Sequence, residues 1–184
     1  GIMGGTFHSV AVRLLRTYGK EISIDPAFTI IDTDDAESLL NTALRELHLN
    51  EQKKFPKKSV LQSMHSYMKN KELSLNELLT TRYRYWLECE DAIEQIFKKY
   101  AAAKKKGNCL DFDDLLNYLL LLLRTKITGD RIRAQYTWIF VDEYQDTNKT
   151  QNEIILLPGR RENWYGPSCR QDDSIAMRQE FSDI

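Results

Sequence analysis

The sequence predicts a mainly α fold with one buried strand, on three observations. Apolar residues recur at helical spacing through most of the chain, and capping and stop residues bracket these stretches. The third is Thr137–Val141, TWIFV, a β-branched and aromatic run without polar alternation, as expected of a parallel strand covered on both faces. The chain's 184 residues, 42% of them hydrophobic, suffice for one domain with a sizeable core, or for one domain and part of another.

The elements follow in order. From Phe7 to Tyr18, Val10, Ala11, Leu14, Leu15 and Tyr18 line one helical stripe with Arg13, Arg16 and Lys20 mostly off it, and Gly19 is the stop. Phe28–Ile31 reads as a short extended piece. Asp32 to Asp35 then offer N-caps, with Asp34 and Glu37 at capping-box spacing, for a helix with Ala36, Leu39, Leu40, Ala43, Leu44 and Leu47 on its apolar face. After the polar break Leu49–Lys58, Pro56 suits the first turn of a helix bearing Val60, Leu61, Met64, Tyr67 and Met68. A shorter helix starts at Ser74 with Glu77 as its box partner. Trp86, Cys89, Ile93, Ile96, Phe97 and Tyr100 trace one long helix. It ends in Lys104, Lys105 and Lys106, suited to the negative end of the macrodipole, and stops at Gly107. Asp111 caps the next helix, which is apolar almost all round and must be covered on most sides. Helical pattern returns from Asn148 to Leu157 and is stopped by Pro158 and Gly159.

Charge does not choose a partner: 26 Lys and Arg stand against 27 Asp and Glu. Cys89, Cys109 and Cys169 are odd in number and form no CxxC pair, and His8, His48 and His65 are scattered. This predicts a reducing compartment without zinc or disulfides, a bacterial cytoplasm or a nucleus. The apolar block Leu115–Arg124 falls well short of the roughly 20 residues that span a bilayer, so no membrane is expected. The opening GIMGG has neither the basic nor the apolar region of a signal peptide and reads as a cloning remnant before a chain cut at an internal point.

Asp142 and Glu143 follow the strand directly. Alone, two acids there are no more than the polar residues that end strands. The longer string VDEYQDTNKTQ, Val141–Gln151, resembles the second motif of the UvrD/Rep/PcrA-like superfamily 1 DNA helicases, with Gln145, Asp146, Asn148 and Gln151 extending the match. The resemblance implies Asp142 for Mg²⁺, directly or through water, Glu143 as the base in ATP hydrolysis, and Gln145 and Asp146 in coupling nucleotide state to DNA. GTFHSVAVRLLR, Gly5–Arg16, looks like motif Ib, in which Thr6, Phe7 and His8 would meet single-stranded DNA. On their own those residues also read as an N-cap, a core ring and an incidental imidazole. LDFDDLL, Leu110–Leu116, resembles a family segment preceding motif II, and no catalysis is assigned to its acids.

The fold class implied is mainly α, a helical 1B-type subdomain with a truncated α/β (RecA-like, P-loop NTPase) portion. Residues 1–31 would be a RecA-like 1A segment with motif Ib, 32–110 the 1B-type subdomain, 111–157 the 1A segment with motif II, and 158–184 a divergent or disordered tail. Residues 45–71 hold seven basic residues against Glu46 and Glu51. Lys53, Lys54, Lys57 and Lys58 are therefore either duplex phosphate contacts or solvated side chains.

The resemblance has limits. These residues contain no GxxxxGK[ST] loop and no pattern for a second RecA-like subdomain. In the tail Asp173 stands where the family's glutamine would be, and no strand is expected there. The function implied is a fragment of an ATP-dependent helicase that couples Mg-ATP hydrolysis to 3′–5′ translocation on single-stranded DNA and duplex unwinding. The fragment itself would be inactive and bind neither cofactor. The alternatives are a non-enzymatic helical DNA- or protein-binding module, or part of a helicase-nuclease.

Overall fold

The computed structural model describes residues 2–136, 138–142 and 144–157, and the backbone of 174–178. In chain order the elements are β1 (Ile2–Thr6), α1 (Phe7–Tyr18), β2 (Thr29–Ile30), α2 (Thr33–Glu46), α3 (Lys58–Lys71), α4 (Leu75–Thr81), α5 (Glu90–Lys106), β3 (Cys109–Leu110), α6 (Phe112–Arg124), α7 (Ile127–Gln135), β4 (Trp138–Val141), α8 (Lys149–Leu156) and β5 (Ser174–Arg178). Short 3-10 segments lie at Gly19–Ile22, Arg84–Cys89 and Tyr144–Asp146. The fold is mainly α, and the chain divides into two compact units, 28–113 and 1–27 with 114–184.

The first unit is helical. Leu40, Leu44, Leu61, Met64, Leu78, Leu79, Ile93 and Ile96 form its core, one stripe from each of α2 to α5, and removal of these stripes from water drives the packing. The two ends of the unit are clasped together. β2 and β3 pair in parallel, Thr29 with Cys109 and Ile30 with Leu110, and the Thr29 and Ile31 amides donate to the Asn108 and Leu110 carbonyls at 2.9 and 3.0 Å. The helices thus leave and rejoin the chain at one place, the layout of an inserted block.

Local chemistry sets most boundaries. Ser74 and Glu77 form the expected reciprocal capping box of α4. The cap of α2 is Asp32, whose carboxylate accepts from the Asp35 amide at 2.9 Å, in place of the Asp34–Glu37 box. Pro56 lies just before α3, whose N-cap position is Lys57. The stretch expected as one helix from Trp86 breaks, because Trp86 (φ −106, ψ 16) leaves helical geometry and α5 begins only at Glu90.

The second unit holds α1, α6, α7, α8 and a sheet ordered β1-β5-β4. β5 runs antiparallel to both neighbours, with Ile175 opposite Gly5 on one side and Val141 on the other. Three expectations change here. Ile2–Thr6, to which no element was assigned, is a strand. A strand forms at Ser174–Arg178, in the stretch where none was expected. TWIFV supplies β4, whose partner is antiparallel, and its faces alternate: Ile139 and Val141 are buried while Phe140 is 42% exposed. Unbroken hydrophobicity cannot tell a strand covered on both sides from one covered on one side.

The corner between α6 and α7 is tight. Thr125 bonds back to the Leu122 carbonyl through its amide and its hydroxyl, and that hydroxyl accepts from the Gly129 amide at 2.9 Å. A Cβ at Gly129 would lie 2.3 Å from the Leu123 carbonyl oxygen and 2.8 Å from its carbon, and backbone cannot yield as a side chain would. Gly129→Ala is expected to cost about 1–3 kcal/mol, read from the urea midpoint. An unchanged midpoint would mean that α7 does not need this close approach.

Candidate functional site

Motif II is built from a strand end, a turn and a capped helix. β4 ends at Val141, buried in the unit, and Asp142 follows it, half-buried. Glu143 lies outside the described residues. The 3-10 turn Tyr144–Asp146 carries Gln145 and Asp146, both exposed. Three links brace the turn. The Tyr144 hydroxyl donates to Asn152 Oδ1, the Thr147 hydroxyl to the Tyr144 carbonyl at 2.7 Å, and Asn148 and Gln151 cap α8 reciprocally, both bonds 2.9 Å. Gln151, singled out as a motif residue, thus has a structural task at the helix start. Asn152 was not legible as a brace, because its spacing from Tyr144 crosses a turn and a helix and fits neither period.

The segment resembling motif Ib opens at the same edge of the sheet. β1 and β4 are both antiparallel to β5 and therefore parallel to each other, and Gly5 and Val141 share the level of Ile175. Their C-terminal ends lie two strand spacings apart, about 10 Å. In open α/β sheets this edge is where ligands bind. Gly5 has φ +145, and a Cβ there would meet the Ser9 hydroxyl at 2.2 Å, so the strand-to-helix turn needs glycine. Thr6 caps α1, accepting from the Ser9 amide at 3.2 Å. Thr6 is exposed and His8 half-buried, but Phe7 is 2% exposed. The stacking expected of Phe7 is therefore corrected: its ring belongs to the core and is not presented to a base.

Among the described residues no group of three or more His, Cys, Asp or Glu side chains could hold a metal ion. Magnesium bound with phosphates takes only one or two protein carboxylates, so Asp142 suits it chemically. The loop that would cradle those phosphates is not among these 184 residues.

The basic segment lies in the helical unit. Phe55 is buried and the Trp86 indole N–H donates to the Lys54 carbonyl at 2.9 Å, so the loop before α3 is pinned twice. Lys53, Lys54 and Lys57 extend from it exposed, and no described ion pair engages them. Lys58 differs: its ammonium pairs with Glu37 at 3.1 Å, which reduces the charge it can offer to a phosphate.

The acids of LDFDDLL serve packing. Asp111 Oδ2 accepts from the Tyr100 hydroxyl at 2.8 Å and from Lys104 Nζ at 2.5 Å, with Lys104 6% and Asp111 8% exposed. Lys104, expected at the negative end of the helix macrodipole, lies in the last turn of α5 and is also half of a buried ion pair. Asp113 accepts from Asn70 at 2.9 Å, and burial pushes its carboxyl above the usual range. His65 stands edge-on to Phe97 and Tyr100, each 5.2 Å away, beside a cavity of about 170 Å³ lined also by Gln62, Ser66, Asp111 and Asp113. Burial, then Lys104, lower the His65 pKa to about 4.

Comparison with known proteins decides the family. The UvrD/REP helicase N-terminal domain matches residues 1–163. The chain belongs to the UvrD/REP helicase family. It is 31% identical over 171 residues to an ATP-dependent DNA helicase PcrA of Leuconostoc citreum, covering 92% of this chain and 22% of that protein. It is 34% identical over 158 residues to a probable DNA helicase II homolog of Mycoplasma capricolum, covering 82% and 21%, and 32% identical over 151 residues to the PcrA of Bacillus subtilis, covering 82% and 20%. The chain thus spans about a fifth of the length of these helicase relatives. Among the described residues no helix is long and apolar enough to cross a membrane, and Cys89 and Cys109 are free thiols.

Proposed function

We propose that the chain is the part of an ATP-dependent DNA helicase that carries motifs Ib and II around an inserted helical subdomain of the 1B type. The observation that carries the reading is the placement of Asp142 and Thr6 at the C-terminal ends of two parallel-running strands on one sheet edge, in a chain of this family. In the parent protein Asp142 takes part in holding Mg²⁺, directly or through water, and Glu143 orients or deprotonates the water that attacks ATP. Gln145 and Asp146, exposed on the braced turn, pass the nucleotide state to DNA. The parent translocates 3′ to 5′ on single-stranded DNA, which meets Thr6 and His8, while Lys53, Lys54 and Lys57 contact DNA phosphates.

The 184 residues alone are expected to show no DNA-stimulated ATP hydrolysis, because nothing in them cradles the β- and γ-phosphates. A steady-state phosphate-release assay with single-stranded DNA tests this. Turnover near the 1–10³ s⁻¹ usual for enzymes would overturn it.

A further inference from the structure

We propose that Tyr85 is a stacking platform for an unpaired DNA base, next to the loop that carries exposed Lys53 and Lys54. The helix break at Trp86 prepares it. There the indole packs on the helical core, its ring 5.9 Å from that of Tyr83, and its N–H reaches the Lys54 carbonyl. The neighbouring Tyr85 is left 69% exposed, its ring at 84° to the Trp86 ring with centroids 5.6 Å apart. In an edge-to-face pair at most one face of either ring is covered, so Tyr85 keeps at least one π face open.

An exposed tyrosine is ordinary by itself. This one shares its support with two exposed lysines: Trp86 holds the ring on one side and the Lys53–Lys54 loop on the other, and buried Phe55 fixes that loop. An open ring next to a loop with exposed lysines offers the two requirements of single-stranded nucleic acid, a base face and a phosphate. Exposed Lys53, Lys54, Lys57, Lys58 and Arg84 outnumber exposed Glu51 and Glu88 in these segments, so they carry a net positive charge that suits a phosphate backbone. To that charge the ring adds a contact with a base face, which phosphate-directed cations cannot make. A duplex hides its base faces except at its ends, so the open ring selects an unpaired base.

The inference rests on the DNA-binding part of the proposed function and adds a residue to it. The test titrates the 184-residue chain with single-stranded DNA carrying one 2-aminopurine, at several salt concentrations. The wild-type chain should quench the probe and show a slope of log K against log salt near −1.4, for about two phosphates. Tyr85→Ala should weaken binding by about 5- to 150-fold and abolish the quench, whereas Tyr85→Phe keeps both. Lys53→Gln with Lys54→Gln should flatten the salt slope. If Tyr85→Ala binds and quenches like wild type while the lysine variant weakens, the stacking contact is overturned and the proposed function stands. Equal weakening by Phe and Ala would also overturn it, because the hydroxyl and not the ring would be at work. A blunt duplex bound as tightly, and equally weakened by Tyr85→Ala, would overturn the choice of an unpaired base. A wild-type chain that binds no DNA at low salt overturns this contact together with the DNA-binding reading.

Discussion

Asp111→Ala is expected to destabilise the helical unit by about 3–5 kcal/mol, seen as a lower urea midpoint with an unchanged slope. The carboxylate oxygen it removes takes two hydrogen bonds, from the Tyr100 hydroxyl and the Lys104 ammonium, and both partners are nearly inaccessible to water. An ammonium left without its carboxylate in that setting costs far more than the pair contributes, because its hydration cannot be restored. The double variant Lys104→Met with Asp111→Leu should therefore recover part of the loss by removing both charges together. A cost below about 1 kcal/mol for Asp111→Ala would show that the site behaves as a solvent-exposed pair.

Stability should also fall as pH drops from about 6.5 to about 4, by up to about 3 kcal/mol from His65 alone. In the folded state burial, and next to it Lys104, hold His65 neutral down to about pH 4; Lys69 acts the same way, and Asp111 opposes them. The unfolded chain takes up a proton at the ordinary value of 6.5, so the stabilisation is complete above that value and is lost through this window. Asp113 works in the other direction, since its raised pKa means that protonation at falling pH favours the folded state. The net loss is then smaller than His65 alone would give, and His65→Gln should reduce or reverse the slope between pH 6.5 and 4.5. Denaturant midpoints for both proteins across that range decide it. Equal slopes would mean that His65 is solvated in the native state.

The candidate site was legible to different depths. Motif II could be read because its function needs a strand, two acids and a capped helix within one short stretch, all set by neighbours along the chain. The link from Tyr144 to Asn152 and the clasp of β2 with β3 could not, since each joins residues in different elements. The same holds for Lys104 and Asp111. They lie seven residues apart across the α5–β3 junction, so sequence gave each an ordinary terminal task, helix-end charge and N-cap, and burial gave them a joint one. Phe7 shows the reverse, a ring that a motif marks for DNA and that packing claims for the core.

By itself the sequence determined the family, through its motif strings, and most of the helices with the caps at Thr6 and Ser74, which depend on contacts three or four residues apart. The tertiary structure alone decided that β4 pairs antiparallel with β5, that Lys58 turns to Glu37 and that Trp86 breaks a helix to reach the Lys54 carbonyl. Each joins residues some 20 to 40 positions apart. Such pairings are chosen by which surfaces meet when the chain compacts, and no local pattern records them.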